Sequence, residues 1–85
     1  MTDLQNLSNL LNQSFSGNFV YDKQINSILY FSSRYTIEIN IHKKTNEICL
    51  HVQDYFGHYD FLRLQEEKTL FFHLNYFVNN QNLLK

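Results

Sequence analysis

Residues 28–53 read ILYFSSRYTIEINIHKKTNEICLHVQ, and how this stretch alternates decides the fold. Tyr35, Ile37, Ile39 and Ile41 alternate with Thr36, Glu38, Asn40 and His42. In an extended chain successive side chains point to opposite sides, so one side is apolar and the other polar. Polar Lys43-Lys44-Thr45-Asn46 interrupts the pattern, and Ile48, Leu50 and Val52 resume it. This predicts a β-hairpin with one buried and one wet face. Upstream the phase runs back through Ser33, Phe31 and Leu29, so residues 29–41 read as one half-buried strand, or as two in line that bend at Ser32-Ser33.

The wet face of the hairpin carries the only side chains with a plausible chemical constellation. With residues 43–46 as the turn, Glu38 lies opposite His51, His42 opposite Glu47 and Asn40 opposite Cys49. A two-residue turn at Thr45-Asn46 slides the register by two and sets His42 against Cys49 beside His51. Both registers keep the isoleucines inside, so the hydrophobic pattern does not choose between them. In the second, Cys49, His51 and His42 present three soft ligands. A structural zinc site wants four, and Cys-x-x-Cys is absent, so no metal is expected. Cys49 and His51, two apart on a strand, stand about 6–7 Å apart, beyond the hydrogen bond that activates a thiolate. Glu66-Glu67 is the one adjacent pair of acids, and no Gly-rich phosphate loop occurs. The expectation is no catalytic residues, no cofactor and no enzymatic activity.

Outward from the hairpin, residues 2–15 read as an amphipathic helix. Thr2 and Gln5 have the capping-box spacing, Leu4, Leu7, Leu10, Leu11 and Phe15 form the stripe, and Gly17 follows the end. Phe19-Val20-Tyr21 and the link Asp22-Lys23-Gln24 precede the long alternation. After it, Asp54-Tyr55-Phe56-Gly57-His58 reads as a turn, and Tyr59, Phe61, Leu62 and Leu64 as a strand whose phase slips between Phe61 and Leu62, which a β-bulge would explain. Residues 69–79 fit both templates. Leu70, Phe71, Leu74, Phe77 and Val78 make a helical stripe; Leu70, Phe72, Leu74, Tyr76 and Val78 make a strand face. Aromatic content favours the strand, whereas Gln65-Glu66-Glu67-Lys68 favours a helix. The tail Asn79-Asn80-Gln81-Asn82 reads as frayed polar chain or a helix end. The predicted fold is α+β, with one N-terminal helix on a four- or five-stranded antiparallel meander in a single domain spanning 1–85.

Composition narrows function by exclusion. The 85 residues are 44% apolar and 18% charged, with net charge −1 and only two arginines, Arg34 and Arg63. No basic face is visible for phosphate binding, so no nucleic-acid partner is expected. No apolar run is long enough to span a membrane, and Cys49 is the single cysteine, so the expected location is cytoplasmic. Phe, Tyr, Met, Ile, Asn and Lys, with AT-rich codons, number 37; Gly, Ala, Arg and Pro number 4, with no Ala or Pro at all. That skew points to an AT-rich genome, such as a low-GC bacterium, its phage or another mobile element.

Fourteen aromatic rings are more than one helix and one sheet easily hide, and no proline blocks the sheet edges. Exposed Tyr and Phe beside Asn and His match the centre of a protein interface. The expected function is therefore a non-enzymatic protein-binding module, of the phage or mobile-element inhibitor kind (anti-CRISPR-like), acting by surface occlusion on a host enzyme or defence system. The alternatives are a self-associating structural or accessory protein, including a homodimer, and an immunity protein or antitoxin. The expected partner-binding residues are Tyr55, Phe56, His58, Phe72 and Tyr76.

Overall fold

Ile39 lies at the centre of a five-stranded antiparallel sheet in the computed structural model, which describes residues 3–15 and 18–79. The elements are α1 (Leu4–Ser14), β1 (Val20–Asp22), β2 (Ser27–Phe31), β3 (Tyr35–Ile41), β4 (Ile48–Asp54), β5 (Tyr59–Leu64) and α2 (Glu67–Leu74), the last running into a π-helical turn, Asn75–Asn79. The strands lie in chain order, so each pairs with its sequence neighbour through a short turn.

The register at β3–β4 is the one with the four-residue turn. Glu38 pairs with His51, Asn40 with Cys49 and Ile41 with Ile48. The His42 amide donates to the Glu47 carbonyl at 2.9 Å, and Asn46 takes a left-handed φ of 60° to close the turn. Asparagine tolerates that region better than most residues. His42 is thus opposite Glu47, and the three-ligand arrangement of the slipped register does not form.

Three expectations are corrected. Residues 29–41 are not one strand, or two in line, because the chain reverses at Ser32-Ser33-Arg34. Phe31 pairs with Thr36, the Ser32 amide donates to the Tyr35 carbonyl, and the Ser32 Oγ accepts from the amides of Arg34 and Tyr35. Reversal swaps parity: Leu29 and Phe31 share a side with Thr36 and Glu38, while Ile28 and Tyr30 join the isoleucines inside. Nor is there a bulge in β5, whose pairing with β4 is continuous from Gln53–Tyr59 to Ile48–Leu64. Leu62 and Leu64 face the core, and Phe61 faces out. The third correction concerns residues 69–79, where the strand favoured by aromatic content is absent and the chain is helical.

α1 packs on β1 and β2, and α2 on β4 and β5. Their buried residues, Leu4, Leu7 and Leu11 from α1 with its C-cap Phe15, and Leu70 and Leu74 from α2, belong to one cluster with Ile28, Ile37, Ile39, Ile48 and Leu50 of the sheet. Both helices therefore cover the same side. Phe15 against Phe71, with ring centroids 5.9 Å apart, joins them. The N-cap of α1 is Asp3, whose carboxylate accepts from the amides of Gln5 and Asn6. Thr2 and Gly17 lie outside the described residues, as does the tail beyond Asn79. Asn12 ties α1 to the approach to β1: its side chain donates to the Phe19 carbonyl at 2.8 Å and accepts from the Phe19 amide at 2.7 Å. Those two backbone groups would otherwise be orphaned beside a buried ring. Among the described residues no helix is long and apolar enough to cross a membrane.

Candidate functional site on the open face of the sheet

With both helices on one side, no helix among the described residues covers the other side of the sheet. The registers lay its side chains out in rows across the strands. Val20, Leu29, Glu38, His51 and Phe61 form one row, from β1 to β5. Phe31, Thr36, Gln53 and Tyr59 form the next, from β2 to β5. Asn40, Cys49 and Arg63 continue the pattern on the other side of the first row. Adjacent strands are about 4.8 Å apart, so the grid is roughly 19 Å wide.

Phe31, Tyr59 and Phe61 are 66%, 56% and 44% exposed. Such rings usually sit inside; here the pleat forces them out. Phe31 and Tyr59 line a cleft of about 270 Å³ together with Thr36, Glu38, His51 and Gln53, and Phe61 lies beside it, paired with His51. The rim residues are held in place. The His51 ring stacks on Phe61 at 4.7 Å and shares a 2.5 Å hydrogen bond with the Tyr59 hydroxyl. Arg63 lies 5.9 Å from the Phe61 ring centroid and reaches Glu47 at 3.8 Å. The half-buried Glu38 carboxylate accepts through one oxygen, Oε2, from the Ser27 hydroxyl at 2.9 Å and the Asn40 amide at 3.2 Å. The Cys49 thiol, in the row between Asn40 and Arg63, is buried.

Of the expected contact residues, Tyr55, Phe56 and His58 lie on the β4–β5 turn, at the end of the sheet where the Phe31–Tyr59 row runs out. Tyr55 folds over the β2–β3 turn: its hydroxyl donates to the Ser32 carbonyl at 2.9 Å, and its amide to the Arg34 carbonyl. Phe56 at the tip is 88% exposed. Gly57, at φ +94°, closes the turn in the conformation that a three-residue hairpin loop requires. Phe72 and Tyr76 are also exposed, but they sit on the α2 side of the molecule, away from the open face. The five residues thus fall on two surfaces.

Sequence reading missed Phe31 and Phe61, because it ran the alternation straight through the β2–β3 turn and placed a bulge between Phe61 and Leu62 within β5. The Ser-Ser-Arg segment between Phe31 and Tyr35 was the available signal for a reversal.

Asp54 organises the turn. It accepts from the amides of Phe56 and His58 and pairs with the His58 ring at 2.9 Å. Desolvation pushes its carboxyl up, but these hydrogen bonds, first the one from the His58 ring, together with the His58 charge, outweigh it, and the net pKa lies below the ordinary 3.8. A carboxyl lowered in the folded state contributes its stabilisation above the unfolded value, and that contribution is lost as pH falls through the folded one. An NMR titration of the Asp54 carboxyl should therefore have its midpoint below 3.8, and Asp54→Asn should remove the acid-dependent shifts of the Phe56 and His58 amides. A midpoint above the ordinary value would contradict the turn geometry.

No protein family, curated protein or solved structure matches the chain.

Proposed function

We propose that this protein is a non-enzymatic protein-binding module that acts by covering a surface of another protein with its open sheet face and the adjoining Tyr55–His58 turn. One observation carries the reading. Phe31, Tyr59 and Phe61 stand exposed on one side of a sheet whose two helices both occupy the other side. Large aromatic residues anchor protein interfaces, and fully burying a Phe side chain is worth about 1.5–3 kcal/mol. Polar residues between and around the rings supply the hydrogen-bonding surface that a separable, rather than obligate, interface uses. Among modules of this kind, the AT-skewed composition favours a cytoplasmic phage or mobile-element inhibitor whose target is a host enzyme or defence system.

The test is affinity capture with mass spectrometry from low-GC bacterial lysates, using the wild-type chain and a Phe31→Ser/Phe61→Ser double variant. Wild type is expected to retain a stoichiometric partner. The double variant should bind it at least about 30-fold more weakly, the scale of a lost hot spot of about 2 kcal/mol, with an unchanged melting temperature. No stoichiometric partner together with a strict monomer by light scattering would overturn the reading, and a concentration-dependent dimer would replace it with self-association. Loss of the partner in Phe72→Ser/Tyr76→Ser alone would move the interface to the α2 side.

A further inference from the structure

We propose that the cleft between Phe31 and Tyr59 receives an arginine side chain of the partner protein, with Glu38 as its counter-ion; this rests on the open face being the binding surface. The cleft measures about 270 Å³. That is slightly below the range of about 300–1,000 Å³ typical of drug-sized ligands, and suits one inserted side chain.

Its charge is one-sided. Glu38 is the only formally charged side chain among the described residues that line the cleft. Its Oε2 is fixed by Ser27, which is itself almost wholly buried, and by Asn40, while Oε1 accepts no hydrogen bond from the described residues. Arg63, the cation of the same sheet face, is directed to Glu47 and the Phe61 ring instead. A half-buried carboxylate with one oxygen fixed and the other free is poised to accept from a cation.

The rings select which cation. Phe31 pairs with Thr36, and Glu38 is two residues further along β3, so ring and carboxylate occupy diagonal positions on neighbouring strands. Diagonal neighbours stand about 7–8 Å apart, near enough for one group to lie against the ring and still reach the acid. A planar guanidinium stacks on an aromatic face and donates in a fork to a carboxylate. The compact, strongly hydrated ammonium of lysine does neither as well.

The probes are acetyl-Gly-Arg-Gly-amide and the same peptide with citrulline, the neutral isostere, titrated into the isotope-labelled full chain and followed by backbone amide shifts. The arginine peptide is expected to give saturable shifts at Leu29, Thr36, Glu38 and Gln53. Citrulline in the peptide, or Glu38→Gln in the protein, should weaken binding about ten-fold or more. Glu38→Gln keeps an acceptor for Ser27, and the citrulline arm needs no variant at all. Equal binding of the two peptides, or no saturable shift up to about 20 mM, well above a millimolar Kd, overturns the proposal. A captured partner that binds Glu38→Gln as well as wild type overturns the arginine contact while leaving the masking surface intact. A partner indifferent to the Phe31/Phe61 variant overturns the surface itself.

Discussion

Leu70→Ala is expected to destabilise the protein by about 2–5 kcal/mol, whereas Phe72→Ala, two residues along, should stay within about 0.5 kcal/mol of wild type. Leu70 and Leu74 are fully buried against the sheet, while Phe72 is 73% exposed. Truncating Leu70 removes transfer free energy and leaves a cavity under α2 that the surrounding sheet cannot collapse into. At this chain length about 1 kcal/mol shifts the melting temperature by roughly 4–8 °C, so the Leu70 variant should melt at least about 8 °C lower. The contrast between the variants is the decisive part. Were residues 69–79 a strand, Leu70 and Phe72 would share a face and both substitutions would be severe. Equal losses in thermal melts would therefore refute the orientation of α2.

Phe19→Ala should cost about 3–5 kcal/mol, a large share of the roughly 4–13 kcal/mol that the usual per-residue stability implies for this size. The Phe19 ring stacks on Tyr30 with centroids 4.7 Å apart and tilts against Phe15 at 6.1 Å. Phe15 in turn meets Phe71 of α2. Removing Phe19 thus hollows out the junction where α1, the start of the sheet and, through Phe15, the second helix meet. Asn12 still holds the Phe19 backbone in place, so the chain cannot easily shift to fill the gap. Phe19→Leu, which keeps most of the volume, should cost less than about 1.5 kcal/mol. Denaturant midpoints measure both, and an alanine variant no weaker than the leucine one would show that the ring is not part of the core.

Much of this architecture was legible where a residue pattern obeys a single period. The stripe Leu4, Leu7, Leu11 and Phe15 repeats at helical steps and is buried as expected, although Leu10 is 46% exposed. The isoleucines of β3 alternate strictly, and the polar 43–46 segment marked the hairpin. Legibility failed where two periods coincide. Leu70, Leu74 and Val78 recur every four residues, which satisfies a strand's period of two and nearly satisfies a helix's 3.6. All three are buried in the helical chain, so burial alone could not have separated the templates. What decides is tertiary: α1 packs mainly on β1 and β2, and the rest of the apolar sheet face needs a second cover, which α2 supplies over β4 and β5.

The candidate site was half visible for a related reason. Glu38 opposite His51 is one of the two registers the sequence allows, and the exposed Tyr55–Phe56 turn follows from local sequence. Phe31 and Phe61 do not, because which side a ring takes depends on counting residues around each turn, and a single miscount reverses a whole strand.

The pleat of the sheet has a consequence for how such a protein changes over generations. In β3 and β4 the residues that hold the fold and those that face the cleft alternate one by one, yet they look to opposite sides. Substitutions at Thr36, Gln53, Tyr59 or Phe61 can therefore redraw the outward surface while Ile37, Val52 and Leu62 keep their neighbours inside. The same interleaving makes the chain intolerant of a one-residue insertion or deletion within a strand. Such a change would carry the isoleucines of that strand into water and its polar residues into the core. The scaffold is thus permissive to replacement of its outward residues and strict about the length of each strand.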